Sequence, residues 1–421
     1  MKYKTLEQIY HMSDPTNWES EYEMRFNHFS TYTTDININP IQDEIQKRNI
    51  VYKVFFCLTK EIGIKTEKIM SNSMKIQNLL SKQPQIALSS YRTRLLINEL
   101  QSTNEKENIA STKVEIAEAL NESKHYNKNS KNKRFIGLVS QYLFLQTKNN
   151  YNLKEISDFR KIFDVLVSDE IENKDLPDGI NFRTKRVGVL NYSKSKWVHV
   201  NEYGEYEIIE FLNKILSFNQ YFEAPYLFKL IVIHYLFEYL HPFYDGNGRV
   251  GRFIMAKMLS DELDEVTALT FSYTVNRNKN KYDKAFEVTS NYFNKGELTF
   301  FISSMLDLIY EGQNSAIENI EGNIKVLENL TNGLNKYNLP KEEASVLISL
   351  LEDKVFGSKY SRISLQELVK SQPFGRKKLN GIIKKHENKL IKIKSRPTTY
   401  EISDDFIDQL RINSKNTKED N

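Results

Sequence analysis

The sequence predicts a mainly α protein. Apolar residues recur at helical spacing through most of its 421 residues, and 15 Gly and 9 Pro are too few to interrupt that pattern often. β-prone stretches are confined to one internal segment and one near the C-terminus. The length exceeds what one compact core holds, so more than one domain is expected. Apolar residues at 40% and charged residues at 27% exclude a disordered or fibrous chain.

Cys57 is the only cysteine, which excludes an intramolecular disulfide and any zinc site built on several cysteines. Its apolar surroundings predict a small buried side chain. The N-terminal stretch lacks a signal-peptide core, and the best apolar run, "YLFKLIVIHYLFEYL", holds Lys229, His234 and Glu238. A cytoplasmic protein with no membrane partner is therefore expected. A net charge of +4 is too small to make the whole chain a nucleic-acid binder.

Residues 1–125 read as helices of mixed amphipathicity, among them "QDEIQKRNIVYKVFFCLTKEIGIKTEKIM" and "STKVEIAEALNES". The polar, basic "SKHYNKNSKNKR" predicts a surface loop and a boundary. Residues 126–310 carry the strongest helical patterns, interrupted by "FRTKRVGVLNYSKSKWVHV", a hairpin signal. A connecting helix is expected over 311–336, ending near Gly333. In 337–405, three short helical patterns precede two β-prone stretches, the order of a winged helix-turn-helix. Nine Lys or Arg against one acid, Glu387, in residues 376–396 are the electrostatic footprint of nucleic-acid contact. Residues 406–421 read as a disordered tail.

Chemistry concentrates in "HPFYDGNGRVGR", His241 to Arg252. Pro242 ends the preceding helix and so fixes His241 at the C-terminal end of a core element. Gly246 and Gly248 permit a tight turn into a second helix, whose first N–H groups and dipole favour an anion. Arg249 and Arg252 share a helix face and suit successive phosphates. Asp245 offers the hard oxygen that Mg²⁺ accepts when phosphates supply others. Asn247 can donate to a phosphoryl oxygen, and His241 can take a proton from a hydroxyl. Base, metal ligand, anion hole and charge clamp together describe phosphoryl or nucleotidyl transfer.

These twelve residues resemble the signature of the Fic (filamentation induced by cAMP) family, H-P-F-x-(D/E)-G-N-G-R-x-x-R, and match it at every specified position. The resemblance extends over roughly residues 85–310. It implies a Fic-type helical core with a β-hairpin flap, here followed by a C-terminal winged helix-turn-helix domain. It also implies AMP transfer from ATP to a Ser, Thr or Tyr hydroxyl of a target protein, with Mg²⁺ or Mn²⁺. By that likeness His241 is the base, Asp245 holds the metal, and Gly246, Asn247 and Gly248 form the anion hole. Arg249 and Arg252 then contact phosphates, Phe243 packs the loop, and Tyr282 in "VNRNKNKYDKAFEV" approaches the nucleotide base. The 182–200 hairpin is similar in position to the family's flap, which clamps the target backbone.

"TNEKEN" resembles the family's inhibitory pattern (S/T)-x-x-x-E-(G/N), with Thr103, Glu107 and Asn108 at its specified positions. Glu107 would then compete with the γ-phosphate for Arg252. Glu105 is a nearby decoy. The expected function is an autoinhibited protein adenylyltransferase, with self-modification, AMP removal and a homo-oligomer left open. The alternative is a nucleotide-sensing DNA-binding regulator that uses the winged helix.

Overall fold

The computed structural model describes residues 3–12, 15–124, 134–143, 145, 153–191 and 196–415, and within them the fold is mainly α, as expected. Most of the loop expected at 123–134 and the tip of the expected hairpin lie outside the described residues. Among the described residues no helix is long and apolar enough to cross a membrane.

The N-terminal region is not all helix. Leu6–Met12 and Pro15–Phe26 are helical, but Thr31–Ile38 and Tyr52–Cys57 form an antiparallel pair, with Thr31 opposite Cys57 and Ile38 opposite Tyr52. Ile41–Gln42 pairs with Ile45–Gln46 in a second, shorter ladder. "YKVFFC" is a short apolar run whose periodicity cannot separate strand from helix, and its aromatic and β-branched side chains suit the strand. Cys57 is buried at the end of it. Thr59 then caps the helix Lys60–Ser81 by accepting from the Ile62 N–H at 3.2 Å.

The helix Gln85–Lys106 leads to the site, and Lys113–Lys124, Ile136–Leu143 and Ile156–Leu166 follow it. Val187–Asn191 and Lys196–Asn201 form the expected hairpin, Val187 opposite Asn201. After Glu205–Tyr221 comes the core helix Tyr226–Leu240, in which every residue from Leu227 to Leu240 is buried. The motif helix Asn247–Glu262 packs beside it. Glu265–Ala268, Phe271–Arg277 and Lys279–Ser290 close the region.

The connecting helix expected at 311–336 is the greater part of one longer helix, Thr299–Asn335. Buried positions continue through the expected boundary, from Ile309 to Gln313, Ala316 and Ile317, so nothing breaks the helix there. Gly312 allows close packing, because a Cβ would lie 2.8 Å from Thr274 Oγ1.

Beyond it, the helices Lys341–Phe356, Leu365–Lys370 and Arg376–Lys385 precede the strands Leu390–Ser395 and Thr398–Ile402. The tail expected to be disordered is helical over Asp404–Lys415. Phe406, Ile407 and Leu410 are its buried stripe, and it crosses the long helix where Gly333 leaves no room for a Cβ, 2.1 Å from Leu410 O. Residues 416–421 lie outside the described residues.

Candidate active site

The core helix stops at His241, which adopts the left-handed conformation (φ 47°, ψ 67°) and donates its N–H to Phe237 O at 3.0 Å. The imidazole Nδ1 bonds the Glu238 carbonyl. A carbonyl only accepts, so Nδ1 carries the hydrogen and Nε2 keeps its lone pair in the neutral ring. Burial pulls the ring's pKa down to about 4; the Glu238 carbonyl and Glu107 oppose this, and Arg183 adds to it. The ring is therefore a neutral base at pH 7.

Phe243 is fully buried and stacks on Phe163 with centroids 4.0 Å apart. It packs and fixes the loop. Asn247 holds the same residue from the other side: its Oδ1 accepts from Phe243 N–H at 3.0 Å, and its Nδ2 donates to Phe243 O at 2.8 Å. The side-chain amide expected to reach a phosphoryl oxygen is thus committed to the loop, because both of its groups match one peptide edge. What Asn247 offers an anion is its backbone N–H in the helix's first turn.

Gly246 adopts φ 80°, and a Cβ there would lie 2.9 Å from Val167 Cγ2, so both conformation and space require glycine. Val250 N–H makes the first helical bond back to Gly246 O, at 3.1 Å, leaving the N–H groups of Asn247, Gly248 and Arg249 outside the helix's own ladder. Asp245 is exposed, with Oδ1 accepting from Gly246 N–H at 2.6 Å. No group of three or more His, Cys, Asp or Glu that could hold a metal occurs among the described residues. A single carboxylate on an exposed turn still fits Mg²⁺, which is commonly held by one carboxylate plus substrate phosphates.

The motif arginines are both buried and both held by carboxylates. Arg249 Nη1 lies 2.8 Å from Glu170 Oε2, a partner that no sequence signal linked to the motif. Arg252 donates through Nε to Thr103 Oγ1 (3.0 Å), through Nη2 to Thr103 O (3.0 Å) and through Nη1 to Glu107 Oε1 (2.8 Å). Burial raises the Glu107 pKa, but Arg252 and Lys106 outweigh it and hold the carboxyl below its usual range. Gly248 makes the approach possible, because a Cβ there would lie 2.3 Å from Glu107 Oε1.

Glu105, the decoy, turns away and accepts from Asn276 Nδ2 at 2.7 Å. Asn108 takes the left-handed conformation (φ 58°) just past the helix, and Ile109 N–H returns to Asn104 O at 2.9 Å. Asn108 stops the helix at the point where Glu107 reaches the motif.

Tyr282, expected to approach a nucleotide base, is packed among other aromatic side chains. It is 4% exposed, its hydroxyl lies 2.8 Å from His234 Nε2, and Lys106 Nζ sits 5.5 Å from its ring centroid. The aromatic cluster with His234 and Phe286 absorbs it into the core. Glu238 is one of the polar residues noted within the apolar run. Its Oε1 is buried without a hydrogen-bond partner, and burial raises its pKa to about 7, with Arg252 opposing.

A buried helix ends in a left-handed histidine, and a glycine-pinned turn then leads into a helix that carries two arginines held by carboxylates. Residues 155–259 match the model of the Fic/DOC family. Among solved structures the chain is similar to a Fic family protein from Desulfovibrio desulfuricans G20, at 14% identity, covering 82% of this chain and 97% of that one, with a TM-score of 0.51. It is also similar to a Fic domain containing signaling protein from Bacteroides thetaiotaomicron VPI-5482, at 14% identity, covering 62% and 97%, with a TM-score of 0.40. At this identity the first likeness speaks for the fold alone, and the second adds no argument. No curated protein matches the sequence.

Proposed function

We propose that the chain is an autoinhibited protein adenylyltransferase, transferring AMP from ATP to a hydroxyl of a target protein. The observation that carries this reading is the Glu107 Oε1 to Arg252 Nη1 contact, 2.8 Å, at the first turns of the motif helix. A carboxylate there occupies the guanidinium edge that a terminal phosphate would need. The Fic/DOC domain supports an enzyme of Fic type, a family generally made of transferases.

In the forward reaction His241 Nε2 takes the proton of the target hydroxyl, and the oxygen attacks the α-phosphorus of ATP. The bond to the β-phosphate bridging oxygen breaks, and pyrophosphate leaves as AMP becomes esterified to the side chain. First-turn N–H groups of the motif helix face the growing charge on the phosphoryl oxygens. Asp245 would hold Mg²⁺, which neutralises charge on the substrate phosphates when bound. The hairpin Val187–Asn191 and Lys196–Asn201 would align the target backbone by strand addition. In the reverse direction Glu107 would orient water for AMP removal.

The test incubates the protein and its Glu107→Gly variant with labelled ATP, Mg²⁺ or Mn²⁺, and lysate. Transfer is expected to rise in the variant and to vanish when His241→Ala is added. No labelled protein in either case, self-labelling included, rules the reading out.

A second reading is a nucleotide-sensing DNA-binding regulator with a C-terminal winged helix, favoured by one observation. Arg376, Lys377, Lys384, Lys392, Lys394 and Arg396 are exposed and have no carboxylate partner among the described residues, whereas Lys378 and Lys385 are paired to Glu342 and Glu343. Duplex DNA binding that weakens with salt, and disappears when Arg376, Lys377 and Lys384 are neutralised together, is required of this reading. Retained binding would remove the helix Arg376–Lys385 as its contact.

A further inference from the structure

Arg183 lies just before the hairpin and is fully buried, yet it forms no ion pair among the described residues. All five of its guanidinium N–H groups are directed at oxygens. Nε donates to His241 O at 2.6 Å, and Nη2 to Leu240 O and Asn201 Oδ1, each at 3.0 Å. Nη1 donates to Lys185 O at 2.6 Å and Tyr203 O at 2.5 Å. Its backbone N–H adds a bond to Pro242 O at 3.1 Å.

These acceptors fall into two groups. Leu240, His241 and Pro242 are where the core helix ends and the motif loop begins. Lys185, Asn201 and Tyr203 bracket the hairpin strands Val187–Asn191 and Lys196–Asn201 at their open end. Asn201 ties the groups further, donating through Nδ2 to Tyr239 O at 3.2 Å while its Oδ1 also accepts from Tyr203 N–H at 2.9 Å.

We infer that Arg183 is a positioning residue that locks the base of the hairpin to the backbone of His241, so that target docking and proton removal share one rigid frame. This rests on the adenylyl-transfer reading for its consequence. The frame itself follows from the bonds.

Only arginine fits the role. A lysine ammonium has three donors and no planar fork, and so cannot serve five acceptors on two chain segments. The last carbonyls of the core helix carry the negative end of its dipole, which offsets the cost of a buried cation lacking a carboxylate. The charged groups facing the His241 ring are Arg183 from the segment before the hairpin and Glu107 from the helix Gln85–Lys106, and the neutral backbone carbonyl of Glu238, on its own helix, bonds Nδ1. Arg183 opposes protonation of the ring, and Glu107 favours it.

The experiment uses the full chain, in the Glu107→Gly background, with Arg183→Gly and Arg183→Lys. His241 is titrated by NMR, its signals assigned by their loss in His241→Gln, and AMP transfer is measured with ATP in parallel. Arg183→Gly is expected to raise the His241 pKa by about one unit. It should also lower kcat about a hundredfold while leaving the KM for ATP unchanged. Millimolar guanidinium should restore part of that kcat. Arg183→Lys, which keeps the charge but not the fork, should leave the titration in place and still lower kcat.

An unchanged His241 titration in Arg183→Gly, or parental turnover in Arg183→Lys, overturns the inference. If circular dichroism shows that Arg183→Gly does not fold, Arg183→Lys decides by its kcat. If the Glu107→Gly parent transfers no AMP, the adenylyl-transfer reading fails, and the titration still decides the role of Arg183.

Discussion

At the scale of single residues, three groups beside the site, His241, Glu107 and Glu238, have pKa values shifted from the usual ones, and each shift has a measurable consequence. Burial lowers the His241 pKa to about 4, so the neutral base survives well below pH 6.5. Glu107 raises this pKa, so the acid limb of kcat in Glu107→Gly is expected at or below about pH 4, and a limb at 6.5 would mean a ring open to water. Glu107 is held below the usual carboxyl range, so acid does not release it above about pH 4.5. The ratio of Glu107→Gly to parental transfer should stay constant from pH 5 to 8.

Glu238 has the opposite sign. Burial raises its folded pKa to about 7, so the folded state binds more protons than the unfolded state between about pH 4.5 and 7, and stability falls as pH rises through that window. Glu238→Gln removes this dependence. The loss of stability between pH 5 and 8, measured by denaturant unfolding, should shrink by up to about 3 kcal/mol. An undiminished loss would show that the carboxyl is solvated or already paired.

At the scale of elements, the helix Gln85–Lys106 bridges two parts of the molecule. Its first turns meet the helix Lys341–Phe356, where Ser90 Oγ donates to Asp353 Oδ1 at 2.7 Å and the Tyr91 and Phe356 rings sit edge to face. Its last turn delivers Thr103 and Glu107 to Arg252. Asp353→Ala should loosen the first anchor and raise transfer to less than the Glu107→Gly level, with no further gain in the double variant. An additive gain would place its effect elsewhere.

Helix-scale patterning read most of these elements, because burial of one face dictates apolar spacing. It failed at "YKVFFC", where a short continuous apolar run fits strand and helix alike, and at residues 406–415. There Phe406, Ile407 and Leu410 do carry a helical stripe, but its polar flanks and terminal position argued for disorder. Gly333→Ala tests that contact directly. A Cβ would meet a backbone oxygen of the C-terminal helix, so a loss of about 1–3 kcal/mol in denaturant unfolding is expected. A neutral substitution would mean that the helix does not dock there.

At the scale of the whole molecule, one contiguous apolar cluster runs from Ile36 through the core helix to Leu410. The long helix Thr299–Asn335 makes this continuity possible. It packs on Lys60–Ser81, on Lys279–Ser290 and on the C-terminal helix, so a boundary drawn at residue 310 falls inside a single element. Removing residues 404–421 should therefore lower the melting temperature of the entire chain in one transition, as read by calorimetry. Two separate transitions would show that the C-terminal helix supports only its local neighbours.

The sequence by itself determined the helical character and the place of His241 at the end of a buried helix, because Pro242, Gly246 and Gly248 act through local backbone sterics. The resemblance of "TNEKEN" to the family's inhibitory pattern pointed to Glu107, which lies 2.8 Å from Arg252 Nη1. Only the tertiary structure decided which side chains are committed to holding the loop and the core. Asn247 turned inward to Phe243, Tyr282 turned inward to His234, and Glu170 and Arg183 arrived from segments more than fifty residues before their partners. Hydrogen-bond partners of buried polar groups are set by packing across the chain, and no local spacing encodes them.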